Sequence, residues 1–140
     1  PKPIAPVEGN VLDVDRSDMS HGSLSPRLHA MIDDAIKLRR NVRKVYVGWT
    51  CNPNSRWAAY VQHNTCFTAM SCVCECFGSG LGAHIANVER WGMDMGSAVC
   101  AARSIGEGKV CNRAEYGGGG TKLNSVWGML YIVTEDDGPA

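Results

Sequence analysis

The sequence predicts an α+β fold: an antiparallel β-sheet with helices packed on one side and disulfides as staples. Three observations support that class. One segment places apolar residues at helical spacing. Other segments alternate, or run apolar, in the manner of strands. Seven cysteines stand within 140 residues, a density that suits a small exported domain. A chain of this length makes one domain with a core of its own. It divides into an extended arm over 1–24 and a single cysteine-rich domain over 25–140.

In the arm, Pro1, Pro3 and Pro6 deny helix, and Asp13, Asp15 and Asp18 with Ser17, Ser20 and Ser23 favour turns. Val7, Val11, Leu12 and Val14 suit an edge strand lying on the domain. Ser25 then reads as an N-cap with Pro26 at the first helical position. Leu28, Met31, Ile32, Ala35 and Ile36 follow one helical stripe, closed by Arg39, Arg40 and Asn41. Val45, Val47 and Trp49 alternate with polar or small residues, as do Trp57, Ala59 and Val61. The turn residues Cys51-Asn52-Pro53-Asn54-Ser55 lie between them, so the pair predicts a hairpin.

Over 65–105 the pattern predicts helices. Cys66, Met70, Val73 and Phe77 share one face with Gly78 as the stop. Leu81, Ile85 and Val88 form a second stripe, and Ser97 caps a third carrying Val99, Cys100 and Ala101. Gly106-Glu107-Gly108 predicts a turn, Gly117 to Gly120 a mobile or recognition loop, and Val126 to Thr134 a central strand.

Fourteen basic and fourteen acidic residues cancel, so general attraction to nucleic acid or anionic lipid is not expected. No apolar run is long enough to span a bilayer. The chain opens at Pro1, which fits a mature product whose leader has been removed. Gly78-Ser79-Gly80-Leu81-Gly82-Ala83 imitates a dinucleotide-binding turn, but the strand before it and the repeated βαβ units after it are missing. No cofactor is expected.

The cysteines carry most of the functional reading. Cys51, Cys66, Cys72, Cys74, Cys76, Cys100 and Cys111 are the disulfide candidates, and spacing alone does not fix their pairing. An odd thiol is left over, either buried or available to link two chains. If the Cys72-Val73-Cys74-Glu75-Cys76 cluster is a helix, its thiols point to different partners; if it is a strand, all three face one way. The spacings do not repeat the paired knuckles of structural zinc, and no histidine lies within five residues of the cluster, so no metal is expected. A competing reading makes one cysteine a nucleophile with His63 or His84 as its base.

The basic run Lys37 to Lys44 offers Arg39, Arg40, Arg43 and Lys44, with the glycine loop, as a candidate contact surface. Trp57, Tyr60, Trp127 and Tyr131 are expected on the sheet.

Ala59-Tyr60-Val61-Gln62, Cys66, Val110-Cys111, Tyr116-Gly117-Gly118 and the strand Trp127 to Val133 occur in an order that resembles a known group. They resemble the small secreted killer toxins of smut fungi and the similar cysteine-rich effector proteins of plant-pathogenic fungi, over roughly residues 45–133. That resemblance implies an α/β sandwich held by disulfides, export, and action by binding a protein of a host or competitor without breaking bonds. This chain departs in having seven cysteines, a long helical N-terminal region and a longer middle. The alternative is a small toxin-domain enzyme, a Cys/His hydrolase cut from a larger polymorphic toxin.

Overall fold

The structure is a computed structural model that describes residues 11–16, 18–112 and 126–140. The proline-rich start of the arm, Ser17 and the Gly117 to Gly120 loop lie outside the described residues. The class is α+β, with a four-stranded, mostly antiparallel sheet in the order β1-β3-β4-β2.

Strand β1 (Val11–Asp13) is the edge strand expected of the arm, and it pairs parallel to β3 (Ala69–Phe77). Strand β4 (Trp127–Glu135) is central as predicted, antiparallel to β3 on one side and to β2 (Lys44–Thr50) on the other. Its apolar run follows from burial on both faces.

Helix α1 spans His21–Lys37, starting four residues before Ser25. Ser20 is the N-cap, its hydroxyl accepting the Ser23 N–H at 3.3 Å. The stripe runs back through Leu24, four residues before Leu28 and eight before Ile32, which places Ser25 inside the helix among its buried residues. Full burial of each such leucine or isoleucine contributes about 1.5–3 kcal/mol. Helix α3 (Ile85–Arg103) is continuous where two short helices were expected. Ser97 sits within it, accepting the Val110 N–H at 3.1 Å.

Two segments differ in type. Residues 57–62, expected as a strand, belong to helix α2 (Pro53–Gln62). Asn52 caps it by accepting the Ser55 N–H at 3.1 Å, and Pro53 fills the first helical position. The same Asn-Pro pair that reads as a turn is therefore a helix start. Residues 69–77, expected as helix, form β3. A register shift between Cys72 and Cys74 breaks its alternation. An extra residue at such a bulge hides period two from sequence inspection. The bulge also divides the cysteine cluster: Cys72 enters one hydrophobic cluster, whereas Cys74 and Cys76 enter the other.

Those clusters occupy the two faces of the sheet. On the inner face, α1 and α3 pack over Val45, Val47, Val73, Leu130 and Ile132. On the outer face, α2 brings Trp57 against Met70, Met129, Tyr131 and Val133. The predicted helical layer is thus α1 with α3, and α2 adds a smaller second one. Two glycines permit close packing across strands. A Cβ at Gly128 would stand 2.1 Å from Trp49 Cζ2, and one at Gly48 would stand 2.3 Å from Tyr131 Oη. The free edge of β2 is closed by the chain after the Gly106–Gly108 turn. Cys111 N–H donates to Val45 O at 2.8 Å, and the Asn112 amide both accepts from Val47 N–H at 3.0 Å and donates to Val47 O at 2.8 Å. A side-chain amide here stands in for a neighbouring strand and blunts the edge.

Candidate functional site

The basic run is mostly engaged within the chain. Arg39 binds the buried Asp136 carboxylate through Nε at 3.1 Å and Nη2 at 3.0 Å. Arg40 donates to Asp137 O, and Arg43 Nη1 reaches Asp137 Oδ1 at 2.7 Å. Backbone bonds between Arg40 and both Asp137 and Gly138, each 2.8 Å, complete a clamp on the C-terminal residues. Arg43 and Lys44 also line a cleft of about 350 Å³ with Glu107, Lys109, Cys111 and Asn112. Glu107 stands 3.8 Å from Lys109, and Glu135 and Asp137 hold Arg43. Three cations face three carboxylates, so the cleft presents no net positive field.

Among the cysteines, Cys51, Cys66 and Cys111 are exposed, and Cys72, Cys74, Cys76 and Cys100 are buried. The sulfurs of Cys74 and Cys76 are 3.9 Å apart as thiols. The Cys76 hydrogen bond and burial together push Cys74 well up, and burial pushes Cys100 to about 11. Burial, ahead of the neighbouring Cys66, also raises Cys111, an exposed residue that lines the cleft. The buried thiols of Cys74 and Cys100 pack as small hydrophobes and are poor nucleophiles. Cys51 and His63 stand at opposite ends of α2, a ten-residue helix about 15 Å long. That separation removes one of the Cys/His pairings a hydrolase would use.

Cys66 and Cys111 do come to the same end of the sheet. Phe67 packs on Tyr46 with ring centroids 6.2 Å apart, and Cys111 bonds to Val45, the residue before Tyr46.

The expected aromatic residues converge on the outer face. Tyr60 meets Trp57, Tyr46, Phe67 and Tyr131 with centroid separations of 5.7–6.3 Å. Inside this cluster the hydroxyls of Tyr60 and Tyr131 are 2.8 Å apart, and Arg56 Nη1 donates to Tyr131 Oη at 3.3 Å. Burial raises both phenols, so both stay neutral. Arg56, Ala59, Tyr60, His63 and Thr65 line an adjoining pocket of about 250 Å³. Glu89 of α3 senses the Arg56 charge, yet its own burial outweighs that pull and raises its carboxyl to about 7. Sequence reasoning singled out neither Arg56 nor Glu89. Arg56, Tyr60 and His63 stand at i, i+4 and i+7, a helical face visible only once 53–62 is read as helix.

Among the described residues, α2 is the only helix packed on the outer face. Leu12 and Cys76 belong to the inner cluster, so alternation puts Val11, Asp13, Glu75 and Phe77 on the outer face. Phe77 pairs with Trp127 across β3 and β4, and Asp13 pairs with Phe77 across β1 and β3. Val11 is 46% exposed and Phe77 41%, while Trp127, Asp13 and Glu75 are half-buried. The result is an aromatic pair beside Glu75 and beside Asp13, which is itself paired with Arg16 at 3.5 Å.

No helix among the described residues is long and apolar enough to cross a membrane. The chain matches no family model, no curated protein and no solved structure.

Proposed function

We propose that the chain is an exported interaction protein of the fungal effector or killer-toxin kind, acting by presenting a rigid surface to a protein of a host or rival. The observation that carries this reading is the outer face beyond α2, where, among the described residues, exposed Val11 and Phe77 stand with Trp127 beside Asp13 and Glu75. Exposed apolar groups rimmed by charge mark contact sites. Acidic neighbours beside aromatic rings favour a partner segment that is basic and apolar, since ring faces attract cations. The basic run is less suited to that role, because Arg39, Arg40 and Arg43 hold the C-terminus.

Export also accounts for the surface thiols. Cys66 and Cys111 are free thiols at the same end of the sheet, and Cys66 is near enough to raise Cys111. Exchange with glutathione disulfide, which takes up the two electrons and two protons released, would join their sulfurs. Cys74, Cys76 and Cys100 act as core side chains in this reading.

A synthetic peptide of alternating lysine and leucine tests the contact surface. Saturable, salt-sensitive binding is expected, weakened about tenfold by Phe77→Ser, a loss of about 1.4 kcal/mol, and further by Glu75→Lys. Equal binding of a glutamate–leucine peptide, or an unchanged affinity in Phe77→Ser, would refute it.

A further inference from the structure

We propose that the cleft beside Cys111 seats glutathione, the γ-glutamyl-cysteinyl-glycine tripeptide, as a mixed disulfide on the Cys111 sulfur. This rests on the export reading above for its oxidant, glutathione disulfide, and goes beyond it in giving that oxidant a binding site.

The cleft forms where the chain closes the edge of β2. Cys111 N–H donates to Val45 O at 2.8 Å, and the preceding Val110, 8% exposed, adds apolar lining. Val45 belongs to the inner cluster, so alternation sends Lys44 and Tyr46 to the outer face. Cys111 stands beside both. Burial raises its thiol and the Lys44 charge draws it down; burial likewise raises the Tyr46 phenol, with Cys111 adding to it. Gly106 forms the opposite wall, where even a Cβ would stand 3.3 Å from Arg43 O. At about 350 Å³ the space falls within the roughly 300–1,000 Å³ of small-ligand sites.

Charge selects the occupant. Arg43 is held by Glu135 at 3.8 Å and by Asp137 at 2.7 Å. Lys44 forms no ion pair among the described residues. Lys109 and Glu107 are 3.8 Å apart with side chains 67% and 84% exposed, a loose pair that either partner can leave. Two cations and one carboxylate thus remain for a ligand. Glutathione at neutral pH carries the reverse set, two carboxylates and one ammonium. A neutral thiol leaves all of these charges unanswered, and a cationic thiol is repelled by both lysines.

The Cys111 thiolate, its proton lost to water, attacks one sulfur of glutathione disulfide. That S–S bond breaks, and one glutathione leaves as a thiolate that takes up a proton. Cys66, near enough to raise Cys111, then attacks the Cys111 sulfur as a thiolate and releases the second glutathione. One disulfide is reduced and one is formed.

Cys66→Ser removes the second step, so the mixed disulfide accumulates. That variant is equilibrated with glutathione disulfide, hydroxyethyl disulfide or cystamine, each with its own thiol, and occupancy of Cys111 is read by peptide mass mapping. Comparing reagents at one sulfur cancels that sulfur's own acidity, and the same chain unfolded in urea provides the reference without a cleft. In the folded protein glutathione should be favoured at least tenfold over both other thiols, and in urea less than threefold. Lys44→Glu should bring the folded preference down to the urea level, and Lys109→Glu should weaken it at least threefold. Equal occupancy of folded Cys111 by the three reagents overturns the proposal, as does a preference that persists in urea or survives both substitutions. The export reading is judged separately: it fails if Cys66 and Cys111 of the native chain never join, whichever thiol Cys111 prefers.

Discussion

Asp136→Ala is expected to lower the unfolding free energy by about 3–5 kcal/mol, the usual loss when one partner of a buried ion pair is removed. The Asp136 side chain is fully buried, and Arg39, its partner, is 17% exposed. The same carboxylate accepts the Gly138 N–H at 2.8 Å and the Thr134 hydroxyl. Its removal leaves a cation with little access to water and frees the end of the central strand. Asp137→Ala is the control: its pair with Arg43 is about half exposed on both sides, and such pairs contribute about 0–1 kcal/mol. Urea unfolding of both variants gives the comparison.

The pH dependence of the Asp136 loss has a definite sign. Burial raises the carboxyl, but the hydrogen bonds from Arg39, Thr134 and Gly138, together with the Arg39 charge, outweigh it and hold the group below its ordinary 3.8. A depressed folded value contributes stability that is present above the ordinary value and is lost as pH falls through the folded one. The gap between native and Asp136→Ala should therefore be widest near neutrality and narrow in strong acid. A gap that widens in acid would contradict the clamp.

Glu89→Gln carries the opposite sign and is expected to stabilise the protein by about 3 kcal/mol at pH 8. Burial raises this carboxyl from 4.5 to about 7 against the pull of Arg56. Each tenfold change in proton affinity corresponds to about 1.36 kcal/mol, so the displacement amounts to about 3 kcal/mol. The folded state holds the proton more tightly than the unfolded chain. Its contribution is fully present below pH 4.5 and is lost as pH rises toward about 7, after which the loss is constant. Glutamine keeps the shape without the charge, so the variant should match the native protein near pH 4 and exceed it at pH 8. A pH-independent difference in urea unfolding would show that packing, and not ionisation, is responsible. An acid that destabilises its own fold at neutral pH is a candidate for a role beyond packing, and Glu89 senses the Arg56 charge.

The legible parts of the sequence were those where a single period ran uninterrupted. The stripe from Leu28 to Ile36 and the apolar run ending at Thr134 each belong to one element packed in one way. Misreadings arose where two signals shared the same residues. Asn52-Pro53 serves equally as a turn and as a cap with its first helical residue, and only the docking of Trp57 on the sheet decides between them. In β3 the bulge moves Cys72 and Cys74 to opposite faces, so neither period describes the strand. The candidate contact residues show the same limit for charge. Arg39 and Asp136 are 97 positions apart, and a local run of cations says nothing about acids that arrive from the other end of the chain. Phe77 looked like a helix terminus and proves to be a strand end paired with Trp127.

A chain built for an oxidising space should have its two neighbouring surface thiols joined while its core thiols stay reduced. Intact mass and thiol titration of the protein collected from a secretory host measure that directly, before and after dithiothreitol. Two fewer hydrogens are expected, mapped to Cys66 and Cys111 and restored on reduction, with Cys74, Cys76 and Cys100 alkylated only on unfolding. Protein that keeps all seven thiols titratable in glutathione disulfide, fold intact, would contradict it.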